Sequence, residues 1–389
     1  MRQIVKFTVA AACGAVFGHA SASEPGPHTH YRVSVLSSAG AAANSIDDLG
    51  LVAGSYTVAG GAVHASLWAF GTQIDLGTLG NGAALNSKVQ WPVKNHLALV
   101  SGISLTDQLD PNNEGWSCSA FIRNPNFNVC QGFVWNPLSG RMRALRTLGG
   151  TNSFATGTND LGETAGWAET AVRDPTCIKP QLLQFLPVVW GPGRNEIRAL
   201  APLAGDTSGA ATALNNRGQV VGISGECGVA VGSVTAKHAV LWDNGVPVEL
   251  KNPNHAGYWN TPMMINERGD VVGFAGAPND PEGNFTPAFM WTRQTGFQFL
   301  PMLNGDIAAT ATSINSKRQV VGYSNDAVPK FHPWIWESGV TVNLNDLIEP
   351  NTELTGPIQI AFDINERGEI AGRTTTRQAV LLVPIDDRD

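Results

Sequence analysis

An oxygen-rich run of side chains near residue 110 has the composition of a cation site. It contains Asp107, Asp110, Asn112 and Glu114, with Asn113 between the last two. Calcium prefers carboxylate and amide oxygens, so the first four residues are our candidate Ca²⁺ ligands. Their spacing does not match the Asp-x-Asp-x-Asp-Gly calcium loop, and a solvated polar turn explains the same residues. The polar turn is the favoured interpretation, and no other cofactor is expected.

A second group of polar and aromatic side chains suits the binding of a sugar or a peptide, because flat rings stack and amides form hydrogen bonds. The group consists of Asn81, Trp116, Asn152, Asp206, Tyr258, Trp259 and Asp306. All but Trp116 lie in connections between repeated units of the chain. Packing between those units explains Tyr258 and Trp259 equally well. The catalytic residues are unknown, since the sequence has no Gly-x-Ser-x-Gly, His-Glu-x-x-His or phosphate-loop motif.

Four cysteines follow the amino-terminal segment, and an even number in an exported chain predicts disulfides. They are Cys118, Cys130, Cys177 and Cys227. Four cysteines allow three pairings, and the closeness of the first two in sequence favours Cys118 with Cys130 and Cys177 with Cys227. No Cys-x-x-Cys occurs, which argues against zinc ribbons and thioredoxin-like chemistry.

The amino-terminal residues have the three-part pattern of a secretory signal peptide. Arg2 and Lys6 precede an apolar stretch, and an Ala-Ser-Ala cleavage site ends at Ala22. We predict a signal peptide over 1–22, cleaved after Ala22, and a flexible segment over 23–30. The apolar stretch is shorter than the ~20 residues of a membrane span, so we expect a secreted or periplasmic protein with no membrane span. A buried first strand is the alternative.

These candidate residues are positioned by an internal repeat that fills the rest of the chain. One element of the repeat ends in glycine and has Asn or Asp seven positions earlier, as in Asn-x-x-Gly-x-Val-Val-Gly. The Asn or Asp positions are Asp47, Asn95, Asn159, Asn215, Asn266, Asn315 and Asn365. Asn and Gly tolerate the positive φ of tight turns, so this element is predicted to be a turn followed by a strand.

Three further elements complete each unit. A strand of small residues, such as 309–314, precedes the turn. An apolar strand that ends in tryptophan, such as 238–242, follows the Val-Val-Gly strand, and an alternating strand such as 74–79 comes last. The units recur about every 50 residues and have about four strands each, which is the pattern of propeller blades.

The predicted fold is all-β, a seven-bladed β-propeller with four-stranded blades in a single domain over 31–385. Six or eight blades are the alternative, because the second unit is irregular near Trp91. Residues 31–36 resemble the last strand of a unit but precede the first unit, and the final unit lacks that strand. The amino-terminal strand is therefore expected to complete the last blade, which removes an exposed sheet edge.

The expected topology sorts the connections onto two faces. The long insertions share one face with the connections between blades, and they contain all four cysteines. These insertions are 105–130, 168–186, 225–237 and 275–286. The Asn-x-x-Gly turns occupy the other face. Binding residues commonly lie on loops held by a rigid scaffold, although the same insertions could serve only to shield the blades.

The repeat resembles that of the bacterial extracellular HAF repeat proteins, over residues 31–384. The motifs of that family are His-Ala-Phe-Leu-Trp, Leu-Gly-Thr-Leu-Gly-Gly and Ile-Asn-x-x-Gly-x-Val-Val-Gly. The matching segments are 238–242, 76–80, 148–150 and 265–273. Ala98, Arg318 and Leu382 depart from the pattern. The resemblance implies an exported repeat protein with a propeller fold, and it brings no catalytic residues with it.

The sequence as a whole favours a binding or interaction scaffold over an enzyme. The net charge is −7 and there is no basic run, so a nucleic acid partner is not expected. We expect a monomer that binds a protein, peptide or glycan through the loop-bearing face. The alternative is a propeller-fold hydrolase or lyase that acts on a polysaccharide in the central funnel. A purely structural surface protein is the third interpretation.

Overall fold

Seven antiparallel sheets of four strands each make up the fold. The computed structural model describes residues 29–114, 119–230, 236–253, 260–276, 286–328 and 330–385. The first strand in the chain is β1 (Tyr31–Ser37), which belongs to the last sheet. The other strands follow blade by blade, and the inner strand of each blade comes first.

Blades 1 to 3 occupy the first half of the described chain. Blade 1 contains β2 (Ala41–Ile46), β3 (Val52–Thr57), β4 (Val63–Ala69) and β5 (Thr72–Gly77). Blade 2 contains β6 (Ser87–Lys88), β7 (Val100–Leu109), β8 (Asn128–Asn136) and β9 (Arg141–Ala144). Blade 3 contains β10 (Gly149–Thr158), β11 (Thr164–Arg173), β12 (Leu183–Trp190) and β13 (Ile197–Ala199).

Blades 4 to 7 repeat the same order. Blade 4 contains β14 (Ser208–Leu214), β15 (Val220–Gly225), β16 (His238–Asp243) and β17 (Val246–Glu249). Blade 5 contains β18 (Thr261–Ile265), β19 (Val271–Phe274), β20 (Ala288–Thr292) and β21 (Gly296–Phe299). Blade 6 contains β22 (Ala308–Ile314), β23 (Val320–Asn325), β24 (Phe331–Glu337) and β25 (Val340–Asn343). Blade 7 contains β26 (Ile358–Ile364), β27 (Ile370–Thr374), β28 (Ala379–Pro384) and β1. A helical turn, α1 (Cys227–Ala230), follows β15, and a 3-10 helix (Leu344–Leu347) follows β25.

The sheets form a closed ring. Each blade contacts the next one, and blade 7 contacts blade 1 through β2. The ring is closed by β1, which pairs antiparallel with β28 and places Tyr31 opposite Pro384 and Val33 opposite Leu382. The prediction of an all-β, seven-bladed propeller with four-stranded blades is confirmed, and so is the prediction that the amino-terminal strand completes the last blade.

The core lies between neighbouring blades. The inner strands are rich in small residues, and every residue of β2 and of β14 is buried. Tryptophans at the ends of the third strands fill the space between blades, and Trp242 is fully buried. The outer strands are far more exposed, as in β5, where four of six residues face solvent. Burial therefore decreases from the inner strand of a blade to its outer strand.

A bulge in the inner strand explains the last glycine of the repeat. The pairing of β14 with β15 shifts between Ala211 and Ala213, which leaves Thr212 as the extra residue. Opposite this bulge, a Cβ atom on Gly222 would lie 2.0 Å from the main-chain oxygen of Ala210. The hydroxyl of Thr212 donates to the main-chain oxygen of Pro262 in blade 5 at 2.7 Å. The bulge therefore joins one blade to the next.

The repeated asparagines form a second set of links between blades. In five consecutive blades, the side-chain Nδ2 donates to the main-chain oxygen of the corresponding residue in the next blade, at 3.0 to 3.2 Å. The donors are Asn159, Asn215, Asn266, Asn315 and Asn365. The Oδ1 atom of Asn215 also accepts from the amides of Arg217 and Gln219, which fixes the turn. The side chain of Asp47 has no amide hydrogen to donate, so this series of links between blades ends at blade 1.

The structure differs from the sequence-based expectation at two places. The long insertions of blades 2 and 3 begin and end as strands, because β7 continues to Leu109 and β11 to Arg173. In blade 2 the inner strand β6 has only two residues. The segment that follows it lies against blade 1, where Val93 exchanges hydrogen bonds with the Ser45 hydroxyl. The irregularity expected near Trp91 thus shortens a strand and removes no blade.

Candidate functional site

The long loops of blades 2, 3 and 4 lie together at one end of the ring, which we call the loop face. A disulfide between Cys177 and Cys227 joins the β11–β12 loop to the start of α1, so this predicted pair is confirmed. The hydroxyl of Thr176 accepts from the amide of Cys227 at 2.9 Å and reinforces the link. Cys130 is also disulfide-bonded. Its predicted partner Cys118 lies outside the described residues, so that pairing stays a prediction.

Two buried glutamates hold the loops of blades 2 and 3 together. Glu114 accepts from the amides of Leu182 and Leu183, at 2.8 Å for the first, where the β11–β12 loop enters β12. Glu169 accepts from the amide of Asn152 at 2.8 Å and from the side chain of Gln181 at 3.1 Å. Burial and the nearby charge of Glu114 raise the pKa of Glu169, against the effect of these hydrogen bonds. Both side chains therefore support the loops from inside.

The predicted calcium ligands take part in the same network. Asp107 accepts from the amides of Asn81 and Gly82, and Asp110 accepts from the Asn152 side chain at 2.9 Å and from the amide of Asn112. Within the described residues, the buried Oε2 atom of Glu114 has no hydrogen-bond partner. Calcium binding by Asp107, Asp110, Asn112 and Glu114 stays a prediction.

A different set of metal-ligand types is close together on the loop face. In the described ranges, one group of three acidic, histidine or cysteine residues has its ligand atoms within 4.8 Å of one another. It consists of Asp174, Cys177 and Cys227. The two sulfurs are bonded to each other and the Asp174 carboxylate accepts from the amide and hydroxyl of Thr176, so these groups crosslink and order the loop.

The predicted ligand-binding residues divide into three groups. Asn152 is buried, and the side chains of Asp206 and Asp306 are only 5% and 1% exposed. Asp206 accepts from Ser224 Oγ at 2.7 Å, and Asp306 lies 2.8 Å from His332 Nδ1. Asn81 is exposed at the edge of the loop face. Trp116, Tyr258 and Trp259 lie outside the described residues. Ligand binding by the whole set stays a prediction.

Exposed apolar side chains on the loop face were missed by the sequence analysis. Leu109 is 67% exposed, Val172 58% and Ile178 67%, and Phe127 is also exposed. Leu109 and Val172 lie at the ends of β7 and β11, and Phe127 and Ile178 lie in the loops that follow these strands. Contiguous patches of exposed apolar side chains are typical of binding sites, whereas single exposed apolar residues are common on any protein surface. No alternation marks these positions, because the last three residues of β7 and of β11 are all exposed.

The opposite end of the ring, which carries the Asn-x-x-Gly turns, encloses a cavity of about 230 Å³ on the axis. Lys94 enters this cavity and lies 3.2 Å from the buried carboxylate of Asp363. At its mouth, His96 lies 3.0 Å from Asp160 and 3.4 Å from Asp48. The hydrogen bond to Asp160 raises the pKa of His96. The carboxylates at the mouth accept from turn amides, as Asp48 does from Glu366, so they bind the turns together.

Among the described residues, no helix has the length and apolar character that crossing a bilayer requires.

No family model matches the sequence, and no curated protein matches it. The acylaminoacyl peptidase of Pyrococcus horikoshii is similar in structure, with 11% identity, a TM-score of 0.49, and coverage of 88% of this chain and 51% of that one. The chain thus spans about half the length of that peptidase. U3-55K has 12% identity and a TM-score of 0.48 over 91% of this chain and 98% of its own. The propeller domain of the Trilobed protease from Pyrococcus furiosus has 9% identity and a TM-score of 0.41 over 79% and 96%.

Proposed function

We propose that this chain is an exported binding scaffold of the HAF repeat type, whose loop face takes a protein, peptide or glycan ligand. The observation that carries the proposal is the pairing of exposed apolar side chains with a loop framework fastened from inside. Leu109 and Val172 are exposed at the ends of β7 and β11, next to loops that Glu114 and the Cys177–Cys227 disulfide hold in place. A surface ordered before binding loses little conformational entropy on binding.

Export is part of the proposal. The predicted signal peptide over 1–22 would send the chain to the periplasm or outside the cell, where disulfides form and persist. The Cys177–Cys227 bond supports this location. Intact-mass measurement of the secreted protein would show a chain that begins at Ser23 and lacks free thiols at both cysteines. A mass that retains the first 22 residues would contradict the predicted cleavage.

The chemistry of the loop face favours a peptide segment over a sugar. Leu109, Val172 and Ile178 offer aliphatic surface, which packs against aliphatic side chains of a protein. The aromatic residues that would stack on a sugar ring in our prediction, Trp116, Tyr258 and Trp259, lie outside the described residues. Peptide and glycan ligands are therefore both placed in the test, and the protein is expected to act as a monomer.

The experiment is a binding screen with the purified mature chain on a peptide array and a glycan array. A hit is measured again with Leu109→Ser/Val172→Ser, and we expect binding to weaken about tenfold or more, because two apolar contacts are lost. The matched control is Val246→Ser/Val248→Ser, which removes exposed valines of the outer strand β17. Equal binding by both variants would place the site elsewhere.

The enzyme alternative is tested in the same screen. Each ligand that binds is incubated with the protein, and its products are analysed by mass spectrometry. Turnover would replace the scaffold proposal with the hydrolase or lyase alternative. Repeating the screen with Ca²⁺ and with a chelator tests the predicted ligands Asp107, Asp110, Asn112 and Glu114. Calcium-dependent thermal stability that is lost in Glu114→Gln would support a bound ion there.

A further inference from the structure

A cleft of about 580 Å³ lies between the outer parts of blades 2 and 3, at the end of the ring that carries the turns. The β8–β9 hairpin forms one wall and the β12–β13 hairpin the other, with Leu161 and Gly162 of the β10–β11 turn between them. The walls are fixed to each other, because Trp190 Nε1 donates to the main-chain oxygen of Arg146 at 2.8 Å. The cleft is distinct from the loop face, which lies at the other end of the strands.

Four arginines line this cleft. Arg141 and Arg143 belong to β9, Arg146 follows that strand, and Arg194 belongs to the β12–β13 hairpin. Arg141 and Arg143 are two residues apart on one strand, so their side chains leave the same side of the sheet roughly 6–7 Å apart. The cleft thus gathers four positive charges in a chain whose net charge is −7.

The positive charges are not neutralised by the protein. In the part of the chain that the structure describes, ion pairs to carboxylates involve other cations, and none of these four guanidinium groups takes part in one. Glu196 is the acidic residue in the lining, and its carboxylate accepts from the amide of Gly193 at 3.0 Å. Arg143 Nη1 donates to the main-chain oxygen of Arg194 at 3.0 Å.

The pKa of Arg143 reflects its burial and the neighbouring positive charge. It is half-buried, and its burial together with the charge of Arg194 lowers the pKa of its guanidinium from the usual value. Two cations held near each other at a partly dry site destabilise the protein until an anion lies between them. Residues kept in such an arrangement are typical of binding sites, because the binding of a ligand relieves the repulsion.

We propose that this cleft binds a short acidic oligosaccharide, with its carboxylate or sulfate groups on the arginines. The volume of the cleft suits a ligand of several groups and exceeds what a single inorganic anion fills. Asn195 adds an exposed amide that can bond to hydroxyls, while Leu161 and Pro192 add apolar surface for the faces of sugar rings. A polyphosphate would use the charges and leave the amide and the apolar surface without a role.

The test is calorimetric titration of the mature protein with oligogalacturonate and with a sulfated oligosaccharide of similar length. Neutral malto-oligosaccharide, tripolyphosphate and a short single-stranded oligonucleotide are the comparison ligands. One or both acidic sugars are expected to bind and the neutral sugar is not, and added salt is expected to weaken the binding, because part of the cleft is exposed. Which acidic sugar binds more tightly distinguishes carboxylate from sulfate as the preferred group.

Arginine variants complete the test. Arg141→Gln/Arg194→Gln is expected to bind about a hundredfold more weakly, since each charge-assisted hydrogen bond contributes about tenfold. The control Arg32→Gln/Arg293→Gln removes two charges at sites 72% and 73% exposed outside the cleft, and its affinity is expected to stay within about twofold. Arg146→Gln alone serves as a milder variant if the double variant melts early.

Three outcomes would overturn the proposal. One is equal affinity for neutral and acidic sugars. The second is equal loss of affinity in the cleft variant and in the control, which would mean that net charge and not the cleft attracts the ligand. The third is tighter binding of tripolyphosphate or the oligonucleotide than of both acidic sugars. The site variants keep the two results distinguishable, because a sugar bound at the loop face would be retained in Arg141→Gln/Arg194→Gln and lost in Leu109→Ser/Val172→Ser.

Discussion

The ammonium nitrogen of Lys94 lies 3.2 Å from Oδ1 of Asp363, inside the central cavity, and joins blade 2 to blade 7. The Asp363 side chain is fully buried, while Lys94 is 29% exposed. The carboxylate also accepts from Ser313 Oγ at 2.6 Å and from the amide of Ile46 at 2.9 Å. Lys94 in turn donates to the main-chain oxygen of Ile364 at 2.6 Å. The pair therefore links four blades (1, 2, 6 and 7) around the axis.

Lys94→Met is expected to destabilise the protein by about 3 kcal/mol at neutral pH, because it leaves a buried carboxylate without its counter-ion. Burial already raises the pKa of Asp363, and Lys94 opposes that effect. Because the pKa of Asp363 is raised in the folded state, its contribution to stability is fully present below the unfolded pKa and is lost as pH rises through the folded pKa. Lys94→Met removes the charge that opposes this shift, so the cost of the substitution should shrink towards acidic pH, where the carboxyl is protonated. Urea unfolding at several pH values measures the difference in the free energy of unfolding between the parent and Lys94→Met. Lys94→Met/Asp363→Asn should recover most of the loss, and a double variant as unstable as the single one would contradict this account.

The series of asparagine links predicts two changes of opposite sign. Asn215→Ala removes a donor to blade 5 and the acceptor for two turn amides, so we expect a loss of about 2 kcal/mol. Asp47→Asn should instead stabilise the protein by about 1 kcal/mol. Burial raises the pKa of Asp47, so the charged form is unfavourable there, and an asparagine would bring the missing amide hydrogen. Urea unfolding compares both variants with the parent, and a destabilised Asp47→Asn would show that the series needs its break at blade 1.

The repeat predicted the ring because the same local signals occur seven times, and each copy reports on the others. It could not predict Lys94 and Asp363 as partners, since their contact depends on how blades 1, 2 and 7 meet. The signal was nevertheless present. Lys94 occupies the position of Ile46, Ile314 and Ile364 in other copies, just before the Asn or Asp of the turn. Two departures from a repeat that have opposite charge and point to one axis are candidates for a pair.

The site was harder to predict than the fold, because burial in loops depends on contacts that no repeat encodes. Ligand binding by Asp206 and Asp306 stays a prediction, and each of them contacts a serine and a histidine of its own blade. The arginine cleft, in contrast, was not predicted from the sequence. Arg143 and Arg194 are 51 positions apart in sequence and meet only because blade 3 packs on blade 2. Arg143 lies in the outer strand of its repeated unit, and Arg194 lies in the hairpin before β13.

His96 predicts a pH dependence of stability. Its hydrogen bond to Asp160 raises its pKa, so the stabilisation is fully present below the unfolded value near 6.5 and is lost as pH rises through the folded value. The side chain is 55% exposed, which limits the effect to about 0.5 kcal/mol. The melting temperature of the parent should therefore fall more between pH 6 and pH 8 than that of His96→Gln. Parallel curves for the two proteins would show that His96 contributes nothing to holding Asp48 and Asp160 together.

The glycine that ends each hairpin element predicts a graded series of costs. A Cβ on Gly222 would lie 2.0 Å from the main-chain oxygen of Ala210, whereas on Gly372 it would lie 2.7 Å from that of Ile360. Main-chain atoms in a bulge cannot move without breaking hydrogen bonds, so Gly222→Ala should cost about 3 kcal/mol and Gly372→Ala about 1 kcal/mol. Urea unfolding of the two variants gives the comparison directly. Equal costs at the two positions would contradict this account, because the loss of glycine's flexibility in the unfolded chain stabilises both variants alike and leaves the approach of the bulge as the source of any difference.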